Sequence, residues 1–73
     1  MDEHDIEFRF RDWRVRVVQT VSGEWLATAS QWMNADHSHG PTDTDALKNL
    51  ARKLGYKTTD MMAAYQMAAN KGS

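Results

Sequence analysis

Between Phe8 and Val17 large apolar residues alternate with charged ones, Phe-Arg-Phe-Arg-Asp-Trp-Arg-Val-Arg-Val, and the alternation slips by one step at Arg11-Asp12. A period of two is the mark of a strand with one packed face and one wet face. Phe8 and Phe10 lie on one side with Arg9 and Arg11 on the other, and beyond the slip Trp13, Val15 and Val17 oppose Arg14 and Arg16. The slip has two readings. A β-bulge inserts a residue and flips the facing of the residues beyond it. A tight turn also changes the phase, although Arg-Asp lacks the Gly or Asn that two-residue hairpin loops favour. On this reading the two arginine pairs fall on different faces or strands and do not add up to one basic patch.

Strands are therefore expected over about 6–10, 13–21 and 25–33, the last two joined at Ser22-Gly23. A two-residue loop there pairs Val17 with Thr28 and Trp13 with Trp32. That register sets Trp13, Val15, Val17, Leu26 and Trp32 on the core face, with Arg14, Arg16, Trp25 and Gln31 opposite. A three-residue loop exchanges Trp25 and Trp32, because a one-residue slip inverts a strand's facing. Asn34 to Pro41 reads as a loop by composition. Thr42 is a good N-cap for Asp45, Leu47, Leu50, Ala51 and Leu54 recur at helical spacing, and Gly55 is the stop, which gives a helix over 43–54. Thr58-Thr59-Asp60 repeats the start signal for a second helix over about 60–70. Its apolar residues spread around the helix, implying burial on two sides or a partner. The fold class expected is α+β: a small two-layer domain, with an N-terminal antiparallel sheet of two to three strands packed by two C-terminal helices.

The 73 residues make a single domain, 1–73, of a size at which one core supplies only a few kcal/mol. There is no cysteine, so neither disulfides nor a thiolate cage or thiol nucleophile is available. The acidic start and the lack of any long apolar run predict a cytoplasmic protein without a membrane span. The formal charge of -1 hides an uneven spread: residues 1–12 carry five acids and two arginines, whereas 48–73 carry five bases and one acid. A net charge this near zero is unlike that of a dedicated nucleic-acid binder.

Four groups of residues are candidates for chemistry or contact. Asp36-His37-Ser38-His39, with Asp43, offers two adjacent imidazoles and falls short of the three or four ligands that zinc takes, so no metal or other cofactor is expected. Ser38 has no oxyanion hole or orienting third group, Asp43 and Asp45 suit a helix's first turn, and the glycines form no phosphate cradle. No enzyme is expected. Arg14 and Arg16 with Trp25 form a possible basic, aromatic face of the kind that holds single-stranded nucleic acid, against the plainer reading of arginines as a solubilising strand face. Met61, Met62, Tyr65 and Met67 offer a helical surface whose flexible thioethers and tyrosine suit protein contact, although core packing accounts for at least two of them.

From Trp13 to Leu54 the chain resembles the HicB-type antitoxin domain: a strand, a turn, the strand Gly23-Glu24-Trp25-Leu26-Ala27-Thr28, then Gly40-Pro41-Thr42 opening into a helix with Asp45-Ala46-Leu47. Asp36 to Gly40 stands where that family has a Pro-Gly-Cys loop. The resemblance implies the strand-to-helix order and an antitoxin-like role. At the level of class, the chain is also similar to small inhibitor proteins of phages and mobile elements, anti-CRISPR proteins among them, in being a short, cysteine-poor, lone α+β domain without a catalytic set.

The function expected is thus a non-enzymatic inhibitor or regulator that occludes a host nucleic-acid-processing protein, such as a CRISPR effector. Asp2, Glu3, Asp5 and Glu7 would mimic phosphate toward a basic cleft, with Met61 and Tyr65 as further contacts. The alternatives are a small nucleic-acid-binding module using Arg14, Arg16 and Trp25, a HicB-like antitoxin, or a homodimerising protein.

Overall fold

The computed structural model describes residues 6–71. Its elements run β1 (Ile6–Phe10), β2 (Trp13–Gln19), β3 (Trp25–Ser30), β4 (Ala35–Gly40), α1 (Asp43–Leu54) and α2 (Thr58–Lys71). The four strands form one antiparallel sheet in the order β1-β2-β3-β4, and both helices pack on one face of it. The α+β, two-layer expectation holds, with four strands in place of two to three.

Arg11-Asp12 is a turn and not a bulge. Phe10 pairs with Trp13, Arg9 with Arg14 and Phe8 with Val15, so two residues reverse the chain. Arg11 supplies the positive φ of 58° that such a loop needs. A non-glycine residue in that region costs about 1–2 kcal/mol. Its side chain offsets part of this. The guanidinium lies 5.3 Å from the centre of the Phe10 ring and 5.7 Å from that of Tyr56, and meets Asp60 at 3.4 Å.

The second loop decides the register of β3. The Thr20 amide donates to Glu24 O at 2.7 Å, and Gly23 N to Thr20 O at 2.9 Å, closing a three-residue loop in which Gly23 takes a φ of 92°. Val17 therefore pairs with Ala27 and Gln19 with Trp25, one step from the two-residue alternative. Trp25 turns to the helix layer and packs half-buried on the core, Leu26 turns away from it, and Trp32 lies outside at 94% exposure. The three-residue alternative is the one adopted.

The expected loop at Asn34 to Pro41 contains β4, and β3 stops at Ser30. Ala-Asp-His-Ser-His-Gly has no β-branched residue and no Phe, Tyr or Trp to announce a strand. Its pairing with β3 and the helix above it hold it extended. Small residues suit that site: Gly40, paired with Trp25 at the edge of the sheet, is buried beneath the start of α1. A Cβ on Gly40 would come within 2.6 Å of Ala46 N and 2.9 Å of Asp45 C, both helix backbone. Gly40→Ala must therefore push α1 off β4, at about 1–3 kcal/mol. A fall in the urea midpoint is expected, and an unchanged midpoint would contradict this close approach.

α1 matches its sequence bounds. Thr42 Oγ1 accepts from Asp45 N at 3.1 Å, and Gly55 N closes the end on Ala51 O at 2.9 Å. Ala46, Leu47, Leu50 and Ala51 are fully buried against Val15, Val17, Ala27 and Ala29 of the sheet. α2 adds Met61 and Tyr65 to the same core, and the Tyr65 ring packs on Phe8. The Tyr65 hydroxyl donates to Asp43 at 2.5 Å, joining the helices. Burial first, then that carboxylate, holds the phenol above its ordinary range.

The outer edge of β4 is closed by α1. His37 O accepts from Lys53 Nζ at 2.8 Å, and His39 O from Asn49 Nδ2 at 2.9 Å, which occupies backbone acceptors that an edge strand otherwise leaves open. Lys53 also meets Asp36 at 3.2 Å. The His37 amide first, and Lys53 second, keep the Asp36 carboxyl below its ordinary range. Because that pKa is lowered by folding, the small stabilisation it gives is present above the ordinary carboxyl range and is lost as pH falls from there through the lowered value of the folded state.

Candidate functional site

With both helices on one side, the other side of the sheet is uncovered, and its composition follows from the register. Three rows of cross-strand neighbours run across it: Arg9, Arg14, Ser30 and Ala35; then Glu7, Arg16, Thr28 and His37; then Val18, Leu26 and His39. Arg9, Arg14 and Arg16 thus share one face. This corrects the expectation that the arginine pairs do not combine. Along one continuous strand residues 9 and 14, five apart, would face opposite ways; across a two-residue hairpin they are partners, and partners face the same way. Only Arg11, in the turn, is drawn off to the helix layer, by Asp60 and Tyr56.

The face sets like charges side by side. Arg9 stands directly opposite Arg14, and like charges so placed destabilise a sheet by a few tenths of a kcal/mol to about 1 kcal/mol. Glu7 lies 3.4 Å from Arg14, in an exposed pair worth well under about 1 kcal/mol. Among the described residues Arg9 has no ion-pair partner, and Glu7 is the acid of the three rows. His37 and His39 lie at the β4 margin, ring centres 5.6 Å apart and edge to face. Among the described residues no group of three or more His, Asp or Glu is placed to hold a metal ion.

At the end of the sheet where Arg11-Asp12 and Trp32-Met33 reverse the chain, a cleft of about 310 Å³ opens between the two turns. Arg9, Asp12, Trp13, Arg14, Ser30, Gln31 and Trp32 line it. The β3–β4 turn is tight: Gln31 N donates to Asn34 O at 2.9 Å and Asn34 N to Gln31 O at 3.3 Å, which lifts Trp32 and Met33 to the tip. Trp32 is 94% and Met33 81% exposed. Trp13, in contrast, is anchored by its indole N–H on Tyr56 Oη at 3.3 Å.

The residues singled out in the sequence separate accordingly. Arg14, Arg16 and Glu7 are on the uncovered face. Trp25 is on the opposite side, half-buried, and is replaced as the exposed indole by Trp32. Met61 is fully buried and Tyr65 nearly so, as core packing requires, which leaves Met67 as the exposed thioether of that helix. Asp2, Glu3 and Asp5 lie outside the described residues. Periodicity alone does not place Arg9 and Trp32 in the site. The signal for both is the choice of loop length, at residues 11–12 for Arg9 and 21–23 for Trp32. No helix is long and apolar enough to cross a membrane, among the described residues.

Comparison with family models gives no match for this sequence, and neither the curated proteins nor the solved structures give one.

Proposed function

We propose that the chain is a non-enzymatic binding module that holds single-stranded nucleic acid on its uncovered sheet face. The observation that carries this reading is the Arg9–Arg14 pair, like charges kept side by side next to Arg16 on the face that neither helix covers. Such an arrangement costs stability in the free protein and is relieved by an anionic partner. A sheet face suits a single strand better than a duplex, because unpaired bases are free to lie against it while their phosphates meet arginine. Fluorescence anisotropy with labelled dodecamers, single- and double-stranded, of DNA and RNA, tests it. Preference for single strands is expected, with log K falling against log salt at a slope of about -2 for three phosphate contacts. No binding at low salt, or binding indifferent to salt, overturns the reading.

A second reading is that of a contact inhibitor, of phage or mobile-element origin, that occludes a host nucleic-acid-processing protein such as a CRISPR effector. The exposed Trp32-Met33 tip favours it, since Trp and Met are enriched at protein interfaces. Phosphate mimicry by Glu7 has little support, because Glu7 meets Arg14 within the basic face. A HicB-like antitoxin role is the same kind of contact with a toxin as partner. Either predicts a stoichiometric protein complex whose formation does not need nucleic acid, which nuclease-treated affinity capture distinguishes from the first reading.

A further inference from the structure

We infer that the cleft between the 11–12 and 32–33 turns seats one nucleotide unit of the bound strand, its base stacked on the Trp32 indole and its phosphate on Arg9. The inference rests on the nucleic-acid reading of the adjoining face and adds a base-binding position that phosphate contacts alone do not provide. Four features of the cleft converge on a nucleotide. Trp32 is a planar ring at 94% exposure, lifted by a tight turn whose ends are hydrogen-bonded. Burying such a ring against a flat apolar surface is favourable, and every base offers one. Arg9 and Arg14 enter the cleft from the sheet, so the cation stands beside the stacking platform. Arg14 is shared with Glu7, whereas Arg9 has no ion-pair partner among the described residues and is the better placed for phosphate.

Polar atoms complete the lining. Ser30, Gln31 and Asp12 provide a hydroxyl, an amide and a carboxylate, hydrogen-bonding groups matched to a base edge or a sugar. The Gln31 amide oxygen already accepts from Asn34 Nδ2 at 3.2 Å, which fixes the orientation of that side chain. The volume of about 310 Å³ suits one nucleotide and not a run of them. A duplex end does not satisfy the site, because its bases are already stacked and paired.

The test uses two ligands of equal charge, a single-stranded dodecamer with bases and an abasic dodecamer with none, measured by anisotropy against the full chain and its Trp32→Ala and Trp32→Phe variants. Trp32 has no packing to lose, so circular dichroism should report an unchanged fold for both. Trp32→Ala is expected to weaken the base-bearing strand roughly 5- to 150-fold, the equivalent of one stacked base. Trp32→Phe should keep most of the affinity. On the abasic strand Trp32→Ala should make no difference. If Trp32→Ala binds the base-bearing strand as tightly as the parent, the cleft inference falls while the basic face stands. An equal loss of affinity for both strands would overturn the cleft inference in the same way. If the parent binds neither strand, the face reading falls and takes the cleft with it.

Discussion

Leu50→Ala is expected to leave the chain largely unfolded at room temperature. Leu50 is fully buried on α1, beside Leu47, where the helix meets Val15 and Val17 of the sheet. Truncating such a leucine costs about 2–5 kcal/mol, through lost transfer energy and the cavity left behind. A domain of this size rarely has more than about 3–5 kcal/mol in total. Urea titration followed by circular dichroism should show the native baseline lost or the midpoint near zero denaturant. Leu50→Met, which nearly conserves volume, should cost less than about 1.5 kcal/mol and keep a cooperative transition. A Leu50→Ala protein with an undiminished midpoint would mean that the contact between α1 and the sheet is not the core.

The second large effect is on binding. Arg9→Gln combined with Arg14→Gln removes both members of the like-charge pair. Affinity for a single-stranded dodecamer should fall about 150-fold, taking each lost charge-assisted hydrogen bond as about 1.5 kcal/mol. The salt slope should become shallower by about 1.4. Stability should change little, because the repulsion between partners and the exposed Glu7–Arg14 ion pair are lost together. Lys48→Gln with Lys57→Gln is the control. Both lysines are exposed in the helical half of the chain, one on α1 and one just before α2, and the change in net charge is the same. An equal loss of affinity in that control would assign binding to overall charge and not to the sheet face. Undiminished binding by the arginine variant would refute the proposed site.

Much of the fold is legible because its signals are local. The α1 bounds follow from Thr42, from leucines at helical spacing and from Gly55, all within one stretch of chain. The strands β1 and β2 follow from alternation alone. β4 is hidden, since Asp36 to Gly40 carries loop chemistry and is held extended by Asn49, Lys53 and the pairing with β3, partners that lie outside the segment itself. The site is hidden for a related reason. Arg9 and Arg14 share a face only if Arg11-Asp12 turns the chain back, and Trp32 is exposed only if the loop after β2 has three residues.

Composition and periodicity by themselves determined that this chain packs a sheet against two helices, where α1 begins and ends, and which residues alternate between a dry side and a wet one. They left open which wet sides coincide. Facing within a strand depends on neighbours two residues apart and is written in the sequence. Facing between strands depends on the parity of each loop, set by whether Arg11 and Gly23 adopt positive φ and by how the helix layer receives the side chains that result. The tertiary structure made that choice, sending Trp25 inward and Trp32 outward and setting Arg9, Arg14 and Arg16 on one uncovered face.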